Sequence, residues 1–97
     1  MTEISSWVTG HHVYKRIWTP HLGEELTCHW NRDNPVDPRA VGVYRNTTLV
    51  GHVPREEKER FFTHLRRGRT ITAVVTGGRE NTRNRGLEVP VTYFLHT

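Results

Sequence analysis

Residues 31–55 read NRDNPVDPRAVGVYRNTTLVGHVPR, and their order of turns and apolar runs decides the fold. Asn34-Pro35 and Asp37-Pro38 are two turn-forming dipeptides within five residues, so the segment opens as a polar loop. Ala40 to Tyr44 is a short apolar run, and Asn46-Thr47-Thr48 can reverse the chain. Leu49 to Val53 is a second apolar run, interrupted by Gly51 and His52. Two such runs around a polar turn predict a β-hairpin. Pro54 then suits a first helical turn, because its missing N–H would have no partner there.

Working outward, Glu56 to Arg67 is the principal helix. Glu56, Glu57 and Glu59 sit in its first turns and Arg66 and Arg67 in its last, which complements the helix dipole. Phe61, Phe62 and Leu65 make its apolar stripe, and Gly68 is a natural stop. Glu24 to Trp30, Thr70 to Thr76 and Leu87 to Leu95 alternate and predict strands. Gly10 to Trp18 is expected to be a further strand that ends at Thr19-Pro20. Residues 1–9 are expected to be a flexible N-terminus, with residues 10–97 forming one domain. The fold class is therefore mainly β with one principal α-helix. About six strands and a single helix suit a small barrel better than a sandwich.

Composition narrows the function. The chain has 97 residues and a formal net charge of +4. Twelve of its fourteen basic residues are arginine, the better fork for phosphate. Nine basic residues against four acids fall between Arg55 and Arg85. That excess fits a surface facing a polyanion, and equally a solvated helix and loop. No apolar run is long enough to span a membrane, and no secretory signal pattern opens the chain, so an intracellular location is expected, with the nucleus open. Cys28 is the only cysteine and alternates inward with Leu26 and Trp30, which reads as a small buried hydrophobe. No His or Cys pair has zinc-finger spacing, so no metal is expected. No P-loop and no nucleophile–base pattern is present, so neither a cofactor nor an enzyme activity is expected.

The words Asn34-Pro35, Asp37, Ala40-Val41 and Val50-Gly51-His52-Val53-Pro54-Arg55 together resemble the HIRAN domain, found at the N-terminus of some SNF2-type DNA translocases. Gly10…Tyr14, Gly23-Glu24, Thr76-Gly77 and Gly86-Leu87-Glu88-Val89-Pro90 match in the same order. The resemblance implies an OB-like six-stranded β-barrel that binds nucleic acid, specifically single-stranded DNA or a free DNA 3′ end. It implies that Asp37 accepts a hydrogen bond from the terminal sugar hydroxyl. A carboxylate suits that task, being a strong acceptor that repels phosphate. The other reading of Asp37 is an Asx-turn that holds its own loop. The resemblance makes Arg55 a phosphate contact, although an exposed helix-start arginine would look the same. His52 and Gly51 would line the same groove, Gly51 being equally explained by close backbone packing or a bulge. Arg79, Arg83 and Arg85 are expected to form a mobile basic rim.

Three departures bear on function. His12 and Val13 stand where DNA-binding members carry a basic–aromatic pair. Val36 precedes the loop acid and Leu87 the last strand, where those members carry aromatics. Base stacking contributes roughly 1–3 kcal/mol per ring, so losing about two rings weakens binding by on the order of 2–6 kcal/mol. A protein-interaction module that kept the fold and lost the DNA pocket is therefore the rival reading. An accessory domain fused to, or partnered with, a helicase or nuclease is a third.

Overall fold

The computed structural model describes residues 1–97. Six strands and two helices follow in the order β1 (Thr2–Val8), α1 (His11–Tyr14), β2 (Glu25–Trp30), β3 (Val41–Arg45), β4 (Thr48–His52), α2 (Arg55–Arg66), β5 (Ile71–Val75) and β6 (Val89–Leu95). All six strands form one antiparallel sheet in the order β1-β6-β5-β2-β3-β4. The sheet rolls until its two edges meet, but it does not close with a full ladder. One bridge joins them, in which Thr9 N donates to His52 O (2.8 Å) and His52 N to Thr9 O (3.1 Å). The fold is mainly β with one principal helix and OB-like, as expected, in the form of a partly open roll.

Alternation builds the core. Ile71, Ala73 and Val75 of β5 and Val89, Val91, Tyr93 and Leu95 of β6 face inward while their neighbours face out. Cys28 is buried beside Leu26, and burial holds its thiol far above the usual range, so it packs as a hydrophobe. Helix α2 lays Phe61 and Phe62 on this core. Phe61 meets Tyr93 edge to face at 5.0 Å, and Phe62 meets Trp30 at 5.2 Å. Burying each ring contributes roughly 1.5–3 kcal/mol. The helix stops at Gly68 in a left-handed conformation (φ 77°), with Gly68 N bonded to Leu65 O and Arg69 N to His64 O.

Two expectations at the N-terminus are corrected. Thr2–Val8 does not fray: it is an edge strand, paired residue by residue from Thr2↔Leu95 to Val8↔Val89. Ser6 hides the alternation, because a serine fills an inward position between Ile4 and Val8 and donates to Glu57 Oε2. Gly10 to Trp18 is not a strand either. Gly10 turns left-handed (φ 75°), and His11–Tyr14 forms a single helical turn. This turn buries His11 and delivers Trp18 to the core, while Val13 and Ile17 stay exposed.

Candidate nucleic-acid interface

The 31–40 loop organises itself before it touches anything else. Asn34 Oδ1 accepts from Val36 N and Asp37 N, both at 2.9 Å, in the Asx-turn manner of a short acceptor side chain. Asp37 Oδ1 then accepts from Arg39 N at 3.0 Å. Its other oxygen, Oδ2, accepts from Lys58 Nζ at 2.9 Å, which fastens the loop to α2. The lysine bond, then the backbone bond, hold the Asp37 carboxyl below the usual carboxylate range. Asp37 thus holds its own loop, as the Asx-turn reading expects, and its carboxylate lies at the rim of a groove.

That groove has a volume of about 420 Å³ and lies between the loop, the end of β4 and the start of α2. It brings together Val36, Asp37, His52, Arg55 and Arg85 of the expected residues. It adds Thr9, Asn34 and Lys58, along with a floor of Ala40, Val41, Val53 and Pro54. His52 is held by Asn31, whose Nδ2 lies 3.1 Å from His52 Nε2. With the amide donating, Nε2 accepts and the ring proton sits on Nδ1. Burial lowers the His52 pKa, with Asp37 pulling the other way, which favours the neutral ring. Gly51 admits no side chain, because a Cβ there would overlap Val8 and stand 2.8 Å from Thr9 O. The strand is also bulged at this point, the register shifting so that Val43 faces Gly51 and Tyr44 faces Leu49.

His12, Val13 and Leu87 do not line the groove. His12 packs near Gly86, while Val13 and Val36 are apolar and exposed, at 67% and 90%. The mobile basic rim is corrected for all three arginines. Arg79 Nε donates to His11 Nε2 at 2.6 Å, and its Nη2 reaches the carbonyls of Lys15 and Trp18. Arg83 donates twice to Glu88, at 3.0 and 2.7 Å, and once to Glu56 at 3.0 Å, with its guanidinium 4.0 Å over the Trp7 ring. Arg85 reaches Glu56 at 2.6 Å and still borders the groove. Polar partners explain the difference: the loop's arginines are tied down by the buried Glu88, the exposed Glu56, and His11 with two backbone carbonyls. Lys58 has no signature in the sequence, because one lysine on a charged helix face carries no signal until its partner is known.

The groove thus holds three cations, two already matched by Asp37 and Glu56, so Arg55 is its one cation without a close partner. Arg55 is largely exposed, with Glu56 no nearer than 4.0 Å.

The family model of the HIRAN domain matches residues 3–93. The chain belongs to the HIRAN family. HIRAN domains are in general DNA-binding modules. Among solved structures, the chain is similar to the HIRAN domain of human HLTF, at 21% identity and a TM-score of 0.77, over 96% of this chain and 74% of that one. It is also similar to a protein from Lactobacillus plantarum, at 15% identity and a TM-score of 0.64, over 99% of this chain and 100% of that one. At these identities the likeness is one of fold. No curated protein matches this HIRAN domain.

Proposed function

We propose that this HIRAN domain binds single-stranded DNA at a free 3′ end, in the groove between the 31–40 loop and α2. The observation that carries the reading is Asp37, an ionised carboxylate at the rim of a groove that also offers Arg55. The carboxylate accepts from a sugar hydroxyl and repels a terminal phosphate, while Arg55 takes an internal phosphate. The domain acts as a binding module without chemistry of its own, inside the cell, alongside a helicase or nuclease fused or bound to it.

A free 3′-hydroxyl is expected to be preferred over a 3′-phosphate. Asp37→Asn keeps the shape, removes the charge and should shrink that preference. Arg55→Ala should weaken all single-stranded ligands alike, since phosphate contacts carry little identity. Oligonucleotides differing only at the 3′ end, titrated against wild type and both variants, test this. Equal affinity for the two ends on wild type removes Asp37 from the site. The lowered Asp37 pKa sets the pH window. The preference and the Lys58 contact persist above the ordinary carboxylate range, near roughly pH 4, and are lost as pH falls through the lowered value.

Salt gives a second check. For about three to five single-strand phosphates, log affinity against log salt should slope by roughly −2 to −3.5. A flat response favours the rival, a protein-interaction module, which the exposed Val36 and the lack of a Phe, Tyr or Trp ring in the groove support.

A further inference from the structure

The twelve arginines divide by partner. Arg39, Arg45, Arg83 and Arg85 each meet a carboxylate within 3.5 Å, Arg55 meets one at 4.0 Å, and Arg79 is bonded to His11. Six arginines remain. Five of them, Arg32, Arg60, Arg66, Arg67 and Arg69, gather around the C-terminal end of α2, and all five are exposed. Two shallow grooves flank that end, of about 430 and 440 Å³, and Arg69 lines both. A smaller hollow is lined by Thr63, Arg66 and Arg67. Glu59 is the one acidic side chain lining either groove, and it is bonded to Arg39 at 3.0 Å.

Offsetting the helix dipole accounts for Arg66 and Arg67 alone. Arg32 comes from the loop after β2, Arg69 from the turn into β5, and Arg60 from the middle of α2. Their convergence needs another reason. Trp30 supplies it. The residue is 37% exposed, the Arg32 guanidinium lies 4.5 Å over its ring centre, and the Phe62 ring stands perpendicular to it at 5.2 Å. Cations along a groove, beside a half-exposed ring capped by an exposed guanidinium, are the components that hold a single strand. Paired bases within a duplex could not use that ring.

We propose that the C-terminal end of α2 is a second contact for single-stranded nucleic acid, with phosphates on Arg60, Arg66, Arg67 and Arg69 and a base stacked on the Trp30–Arg32 pair. Arg66, Arg67 and Arg69 lie at the opposite end of α2 from the Asp37 groove, about 18 Å along the axis at roughly 1.5 Å per residue over twelve residues, and the Trp30–Arg32 pair lies nearer to it, with Trp30 Nε1 bonded to Pro38 O. This contact recognises backbone and stacking alone, so it does not depend on a 3′ end or on the end-binding reading.

A circular single strand of thymidines has no end, so it cannot use the 3′-hydroxyl contact at Asp37, and arginine variants report on this contact. Wild type should bind it, and R66E/R67E/R69E should bind it about tenfold more weakly or worse, with a salt slope shallower by about 2 for three lost phosphates. R66Q/R67Q/R69Q should fall between the two, and matching thermal melts should show that all three proteins are folded. Trp30 fluorescence should be quenched by the circle in wild type. Wild type should bind the circle even if oligonucleotides differing only at the 3′ end bind the protein alike, so the two readings fail separately. The proposal is overturned if wild type does not bind the circle, if the charge-reversed protein binds it equally, or if a duplex of equal length binds wild type more tightly.

Discussion

Arg83→Ala is expected to cost about 3–5 kcal/mol of folding stability, the range for stripping one partner from a buried ion pair. Glu88 is the reason. Its side chain is almost fully buried, and Arg83 bonds both of its carboxylate oxygens. Without the guanidinium the carboxylate keeps its desolvation cost and loses its compensation. The same substitution removes the cation over Trp7 and one of the two arginines on Glu56. Domains of this size are stable by only about 5–15 kcal/mol, so the variant should sit close to unfolding at room temperature. Replacing Arg83 and Glu88 together, with methionine and leucine, should recover much of the loss, because removing both charges removes the desolvation problem. Urea denaturation of wild type, the single variant and the pair measures this. A single variant within about 1 kcal/mol of wild type, the ordinary worth of an exposed pair, would show that the bridge is solvated.

Gly51→Ala is the second large effect. The added methyl group would overlap Val8 and press on Thr9 O, a backbone atom that cannot swing aside. Overpacking of this kind costs typically about 1–3 kcal/mol, or a melting temperature lower by roughly 4–8 °C for each kcal/mol in a domain this small. Relief requires the end of β1 to move from β4, and that breaks the Thr9–His52 bridge. Both residues line the Asp37 groove, so binding should fall together with stability. Gly78→Ala is the control, since a Cβ there meets nothing within 4 Å. Equal melting temperatures for the two variants would mean that the β1–β4 junction yields freely.

The sequence displayed most of this architecture where the side-chain period was clean. Strands β2 to β6 and helix α2 were all legible within a residue or two, because their inward positions are apolar and their ends carry turn residues. β1 was not legible. Its pattern needs Ser6 to count as an inward residue, and only Glu57 and the packed edge of β6 make that so. α1 is one turn long and carries no period at all. In the site, the hairpin and loop words placed Asp37, His52 and Arg55 around one groove. The partners Lys58, Asn31 and Thr9 come from three other segments, and their convergence is a property of the rolled sheet. Arg83 was misread for the same reason, as local charge density says nothing of a carboxylate buried five residues later.

The β1–β6 ladder sets the order in which this domain can be completed during synthesis. Thr2 lies opposite Leu95, so the first strand of this domain to be synthesised has its ladder partner in the domain's last. Until β6 emerges, Ile4 and Val8 have no strand to pair with, and the open face of the sheet waits uncovered. Closing so long a loop delays the rewarding contacts, which places folding in the slower range of about milliseconds to seconds. Nascent chains stalled before β6 has left the ribosome should therefore be a chaperone's substrate, while chains long enough to free β6 should already be compact here.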